Sequence, residues 1–299
     1  MTLFCFSQYE YIAKSLRALP SLEQGQFSIG RFDNQELHVV IQDSVAGRPC
    51  SILGSIAPPE QQIVSFMLLA HTLKKEGARQ LTGILPYLAY TRQDKAKTGE
   101  SLGAAWAGSL LKASGVDRVV TIDVHSERDK ELFPIPLLSV FPADLFAGTI
   151  RERGWMDATI VAPDNGAVFR CEAVKAAMGL APGGTPYFEK QRTEKGIIHG
   201  GLVGEVGPRV VIIDDMLDTG STLVSACEKL IEARVREIYI FVTHGLFTGS
   251  HWKQLWSLRV KHIFCTDTIP ACADLATEHI TALSIAPLLA QHFRPQETQ

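Results

Sequence analysis

The chain has 299 residues, of which 46% are hydrophobic and 20% charged, with 24 Gly and 15 Pro. That length favours two domains of ordinary size, and the composition excludes disordered, collagen-like and coiled-coil classes. Lys and Arg number 29 against 32 Asp and Glu, a net charge of -3 that lacks the basic excess of a nucleic-acid binder, so an anionic ligand must be met by a local cluster.

Apolar runs such as 210–213 are far shorter than the roughly 18 residues that span a bilayer, so neither a membrane nor a nucleic acid is an expected partner. The first ten residues lack the basic-then-apolar pattern of a secretory signal, and a cytoplasmic location is expected. Cys5, Cys50, Cys171, Cys227, Cys265 and Cys272 form no CxxC pair and read as buried, reduced thiols.

Along the chain, six short aliphatic runs are each followed by a helical pattern: Ser51–Ile56, Leu81–Pro86, Val119–Val124, Thr159–Ala162, Val210–Ile213 and Ile238–Thr243. The alternation predicts an α/β fold of two doubly wound domains with parallel sheets. Prolines within 133–142 place the boundary near residue 142, giving an N-terminal α/β domain over 1–142 and a C-terminal α/β domain over 143–299. Pro59–Lys75 sets Ile63, Phe66, Met67, Ala70 and Leu73 on one helical face. Ser101–Ala113 and Ser221–Ile231 are predicted helices too, each with a hydroxyl residue placed to cap its first turn. Gly179–Pro186 and Thr193–Val206 are Gly-rich and expected as mobile loops around the basic stretch Lys190–Arg192.

The strongest motif is VVIIDDMLDTGSTL at 210–223, which reads as a strand, a tight loop and a helix start. Open α/β sheets bind ligands beyond the carboxyl ends of their strands, and backbone N–H groups at a helix N-terminus suit a phosphate. Adjacent carboxylates at the mouth of a buried strand cost stability unless a hydroxyl or a cation uses them, so Asp214 and Asp215 are expected to face sugar hydroxyls or a metal. The sequence contains no GxxxxGK[ST], which excludes a P-loop as the holder of ATP.

That loop resembles the signature of proteins that bind 5-phosphoribosyl 1-diphosphate. Together with PYLAYTRQDKAKTGE at 86–100, IDVH at 122–125 and APDNG at 162–166, nearly the whole chain resembles the ribose-phosphate diphosphokinase family. The resemblance implies two phosphoribosyltransferase-like domains and transfer of the β,γ-diphosphoryl group of ATP to C1 of ribose 5-phosphate, with Mg2+ as cofactor. It implies that Arg92, Gln93, Asp94 and Arg170 bind ATP. His125 and Asp164 would sit at the metal, and His125, Lys190 and Arg192 would be catalytic, the last two on a flexible loop. Asp214, Asp215, Asp218, Thr219, Gly220, Ser221 and Thr222 would hold ribose 5-phosphate. Phe32, Asn34 and Glu36 match an adenine-contacting stretch that reaches a neighbouring subunit's nucleotide, which implies a homodimer or larger homo-oligomer.

Several positions depart from the family pattern. Asn34 replaces an acid, and Gln191 stands where many relatives carry Arg. KAKTGE at 95–100 and YFEKQR at 187–192 resemble the archaeal-type form, which implies activity independent of inorganic phosphate. Two rival readings use the same residues. A phosphoribosyltransferase would use the 214–222 loop to consume the product, but such enzymes are mostly smaller and lack the Arg92–Asp94 and His125 blocks. A non-catalytic regulatory homologue would be signalled by loss of Lys190, Arg192 or His125, and all three are present.

Overall fold

Each of the six aliphatic runs forms a strand of a parallel sheet, buried on both faces as crossover helices require. The computed structural model describes residues 1–193, 196–275 and 277–293, without the side chains of 190–199, 273 and 274. Two units result, one of Met1–Val140 with the segment from Ile285, the other of Phe141–Ser284.

The first unit contains β1 (Thr2–Cys5), β2 (Glu23–Gly25), β3 (Phe27–Arg31), β4 (Leu37–Ile41), β5 (Pro49–Leu53), β6 (Gln80–Leu85), β7 (Arg118–Ile122) and β8 (Leu137–Val140). Six of these form a parallel sheet in the order β2-β1-β5-β6-β7-β8, while β3 and β4 form a separate antiparallel hairpin. Its helices are α1 (Glu10–Leu16), α2 (Gln61–Lys75), α3 (Gly103–Ala113) and the short α4 (Asp129–Leu132). The face of α2 expected to be apolar is buried at Phe66, Ala70 and Leu73, against Ile52, Leu81 and Val119 of the sheet. Each such fully buried aliphatic or aromatic side chain is worth roughly 1.5–3 kcal/mol.

The second unit continues with α5 (Ala143–Glu152), β9 (Thr159–Val161), α6 (Val168–Ala177), β10 (Tyr187–Thr193), β11 (Gly196–Val203), β12 (Arg209–Leu217), α7 (Ser221–Glu232), β13 (Glu237–Gly245), β14 (Val260–Thr266), α8 (Pro270–Asp274) and β15 (Ile280–Leu283). Five strands form a parallel sheet in the order β15-β14-β13-β12-β9.

The structure departs from the sequence expectations in five places. Residues 285–293 pack on the first unit instead of continuing the second domain expected over 143–299. Ile285, Leu289 and Phe293, spaced four apart, are buried with Leu3, Tyr9 and Ile12, and Ser21 donates a 2.7 Å hydrogen bond to the Phe293 carbonyl. Residues 193–206 are not simply a loop, because β11 pairs with β10 as an antiparallel ribbon. Phe188 anchors that ribbon in the core of the second unit.

The third departure is β12, which runs through Asp214 and Asp215 to Leu217, so the turn begins only at Asp218. Fourth, the hydroxyls near the starts of α3 and α7 do not cap them. Leu102 and Gly220 occupy the cap positions, while Ser101 donates to the Gln93 side chain at 2.7 Å and Ser221 pairs with Thr219. Fifth, Cys265 and Cys272 are joined in a disulfide where reduced thiols were expected, because the end of β14 and the start of α8 bring them together. Cys5, Cys50, Cys171 and Cys227 are free.

Candidate active site

In the second unit the 214–222 segment is built by the joint between β12 and α7. Val210, Val211, Ile212 and Ile213 are fully buried, so β12 is fixed along its length before it delivers Asp214 and Asp215. The turn that follows is tied to the end of β13. The Leu217 carbonyl accepts from the Leu246 and Phe247 N–H groups at 2.9 Å, and the Asp218 carbonyl accepts from the Thr248 N–H at 3.1 Å.

Gly220 closes this turn with φ of 87°, a conformation that favours glycine. A Cβ there would lie 2.7 Å from the Cα of Trp252, so both the dihedral and the space exclude a side chain. Thr219 and Ser221 are exposed, their hydroxyls 3.2 Å apart. Gly220 at the cap position of α7, a helix of 12 residues, makes no side-chain cap hydrogen bond. Its N-terminus therefore presents donors and the positive end of the helix dipole to an anion.

Asp214 and Asp215 are not alone. Arg170, from α6, lies 4.0 Å from the Asp215 carboxylate, and both side chains are almost fully buried. Burial first, then the Asp215 carboxylate, pushes the Asp214 pKa well above the usual carboxylate range; Arg170 opposes this and Asp164 adds to it. The structure thus brings Asp164, Arg170, Asp214 and Asp215 together as an acid-rich group with one guanidinium. Asp164 itself follows β9 and accepts from the Ala167 N–H at 3.2 Å, which orders the turn that starts α6. Arg170 is also held by the exposed Phe169, whose ring centroid is 4.5 Å from the guanidinium carbon.

These carboxylates fit a hard divalent cation, since oxygen ligands and mutual repulsion are what such an ion relieves. Among the described residues no group of three or more His, Cys, Asp or Glu could hold a metal by itself. Magnesium usually binds through one or two carboxylates, with water and substrate phosphate completing the shell, so the donor set suits it better than a metal caged by protein.

The first unit carries the remaining candidates. Arg92 and Gln93 are exposed, whereas Asp94 is buried. They follow Tyr90, whose φ is 70°, in a loop closed by the Thr91 hydroxyl on the Leu88 carbonyl at 2.8 Å. Gly103 allows α3 to begin against this loop, because a Cβ would lie 2.5 Å from the Tyr90 carbonyl oxygen. His125 is exposed immediately after the buried stretch 121–124, so the end of β7 presents an imidazole to solvent.

Phe32, Asn34 and Glu36 form the tip of the β3–β4 hairpin. Phe32 is 57% exposed and Asn34 and Glu36 are exposed as well. Asn34 accepts from the Glu36 N–H at 3.1 Å, a turn-forming role that Asp could equally fill, so its departure from the family acid preserves the backbone. Lys190 and Arg192 lie on β10 opposite His199 and Ile197, and their side chains are outside the described residues.

Some contributors carry no sequence signal. Trp252 shapes the Gly220 turn from 32 positions away. Asp129 and Ser139, which brace the backbone around His125, look like ordinary loop residues until the hydrogen bonds are known. No helix among the described residues is long and apolar enough to cross a membrane.

Comparison with known proteins gives a consistent picture. The N-terminal domain of ribose phosphate pyrophosphokinase matches residues 1–115, and the phosphoribosyl synthetase-associated domain matches 188–297. A ribose-phosphate pyrophosphokinase from Ralstonia nicotianae is 31% identical over 275 residues, covering 90% of this chain and 86% of its own. One from Burkholderia pseudomallei is 29% identical, covering 94% and 90%. The crystal structure of a phosphoribosylpyrophosphate synthetase from Mycobacterium smegmatis superposes with a TM-score of 0.86 at 28% identity, over 98% of this chain and 97% of that one. With both halves matched and relatives aligned over almost the full length, the chain belongs to the ribose-phosphate pyrophosphokinase family.

Proposed function

We infer that this chain transfers the β,γ-diphosphoryl group of ATP to the C1 hydroxyl of ribose 5-phosphate, giving 5-phosphoribosyl 1-diphosphate and AMP. The observation that carries the reading is the Asp214–Thr222 segment: paired carboxylates for the ribose 2- and 3-hydroxyls, followed by a tight turn closed by Gly220 and the N-terminus of α7 for the 5-phosphate. A phosphoribosyltransferase would use the same segment, but family membership and the Arg92–Asp94 and His125 blocks favour synthesis of the diphosphate. The presence of His125 and of Lys190 and Arg192 speaks against a purely regulatory homologue.

In the reaction the C1 hydroxyl oxygen attacks the β-phosphorus, the bond from that phosphorus to the α,β-bridging oxygen breaks, the bridging oxygen leaves with AMP, and the hydroxyl proton is released to solvent. Phosphoryl-type transfer depends mainly on positioning and on compensation of charge. Anchoring both ends of ribose 5-phosphate through 214–215 and 218–222 fixes C1, and orientation of this kind is worth about 7–11 kcal/mol of barrier. Arg92 and Gln93 are exposed to meet phosphate and nucleoside, and Arg170 supplies a buried positive charge beside the acids. Lys190 and Arg192 offset the charge that develops on the transferring group. His125 in the first unit and Asp164 in the second are each candidate ligands for Mg2+, which would supply charge to neutralise the phosphate oxygens.

The exposed hairpin tip with Phe32 and Glu36 suits a contact with the adenine of a neighbouring copy, so the active protein is a homodimer or larger homo-oligomer. The segment 95–100 supports activity that does not depend on inorganic phosphate. AMP release from ATP, measured with and without ribose 5-phosphate, tests the main reading. Release that requires the sugar phosphate is expected; AMP or ADP formed equally without it would refute the assignment.

A further inference from the structure

His125 is exposed, yet the backbone that presents it is held on both sides. Before it, Asp123 adopts φ of 44° and its N–H donates to the Val140 carbonyl at 3.0 Å. The Val124 N–H donates to the Ser139 hydroxyl at 3.0 Å. After it, the Ser126 N–H donates to Asp129 Oδ2 at 3.1 Å, and the Asp129 N–H returns a 3.1 Å bond to the Ser126 carbonyl. Two side chains, one on β8 and one at the start of α4, therefore hold the N–H groups immediately flanking position 125.

Asp129 is an expensive residue for a purely local turn. Its side chain is fully buried, and its second oxygen, Oδ1, has no hydrogen-bond partner. Such an oxygen costs about 1–3 kcal/mol, which Leu or Val would avoid. The carboxylate also feels the charges of Asp94, His125 and Glu127.

We propose that Asp129 is a positioning residue for the diphosphoryl transfer: with Ser139 it clamps the backbone on either side of His125 and so fixes where the imidazole is presented. The inference rests on the reading of His125 as catalytic. Ideal placement of a reacting group matters because small displacements cost large factors in rate. The clamp requires an acceptor at Asp129, not its negative charge. Asn keeps that acceptor, while Leu, with the same branched skeleton and a larger volume, removes both the acceptor and the buried ionisable group.

The test is a kinetic cycle with Asp129→Leu, Asp129→Asn, Ser139→Ala and His125→Ala in the full-length protein, each checked by thermal melting. Asp129→Leu and Ser139→Ala should lower kcat at least ten-fold while leaving the KM for ribose 5-phosphate within about two-fold, and Asp129→Asn should restore kcat to within about three-fold of the parent. In a His125→Ala background, adding Asp129→Leu should change nothing further, because a residue that acts only through His125 has nothing left to position. Losses that multiply in the double variant, or a folded Asp129→Leu protein with normal kcat, would overturn the proposal while leaving the reaction intact. An Asp129→Asn variant as slow as Asp129→Leu would also overturn it, since charge and not the clamp would then be responsible. If Asp129→Leu fails to fold, Ser139→Ala alone decides: normal kcat overturns the proposal, and a ten-fold loss that vanishes in the His125→Ala background supports it. A fully active His125→Ala protein would refute the catalytic reading of the histidine itself, and this inference with it.

Discussion

The Arg170 guanidinium and the Asp215 carboxylate lie 4.0 Å apart with almost no exposure to solvent, in a group that also contains Asp164 and Asp214. The Arg170 guanidinium therefore offsets part of the charge of these acids. Removing one partner of a buried pair leaves an uncompensated charge, which costs about 3–5 kcal/mol. Arg170→Met should lose stability on that scale in urea denaturation at neutral pH, and added Mg2+ should recover part of the loss by supplying the missing charge. A loss below about 1 kcal/mol, or no difference between magnesium-containing and magnesium-free buffer, would show that Arg170 does not hold this group together.

The same group predicts how the sugar phosphate is bound. Replacing Asp214 and Asp215 together by Asn relieves their mutual repulsion but also takes the Asp215 charge from the buried Arg170, so the variant should still fold, with a loss of stability no larger than that of Arg170→Met. Binding of ribose 5-phosphate, followed by calorimetry, should become undetectable because the hydroxyl acceptors are weakened and misdirected. Unchanged affinity would remove Asp214 and Asp215 from the ribose site.

Much of this was legible in the sequence because two signals are local. Aliphatic runs next to helical patterns marked all six of the named strands, and the Asp218–Thr222 composition marked a turn before a helix. What escaped depends on long-range partners. The extension of β12 through Asp214 and Asp215 is stabilised by pairing with β13, which composition does not encode. The return of Ile285, Leu289 and Phe293 to the first unit depends on an apolar face opened by α1. The caps failed because Ser101 and Ser221 found better partners in Gln93 and Thr219. Arg170 could be named from the family pattern, but its burial against Asp215 could not.

Asp129 makes stability depend on pH. Burial, reinforced by Asp94 and Glu127 and opposed by the Ser126 N–H and His125, raises its pKa from 3.8 to about 6. A carboxyl whose pKa is raised on folding binds its proton more tightly in the folded state, so stability rises as pH falls from above 6 toward 3.8. The full penalty above pH 6 is on the order of 3 kcal/mol. Asp129→Asn should therefore be more stable than the parent in urea at pH 8, with the difference vanishing near pH 4. An equal gain at both values would mean that folding does not raise the Asp129 pKa.

The segment Lys95–Glu100, KAKTGE, predicts catalysis without an anionic activator. Initial rates in phosphate-free buffer should be close to those with added phosphate, and ADP should compete with ATP. Saturable activation of ten-fold or more by phosphate, or inhibition by ADP that ATP does not relieve, would contradict this.

The central claim is that the diphosphoryl group moves as a unit from ATP to C1 of the sugar. Phosphorus-31 NMR of a reaction containing ATP, ribose 5-phosphate and Mg2+ follows every phosphorus at once. The account predicts that the β and γ signals of ATP are replaced, in equal amounts, by two mutually coupled signals of a sugar 1-diphosphate, while the α-phosphorus becomes the single phosphate of AMP. Formation of ADP with orthophosphate, of free pyrophosphate, or of a sugar 1-monophosphate as the primary product would contradict it.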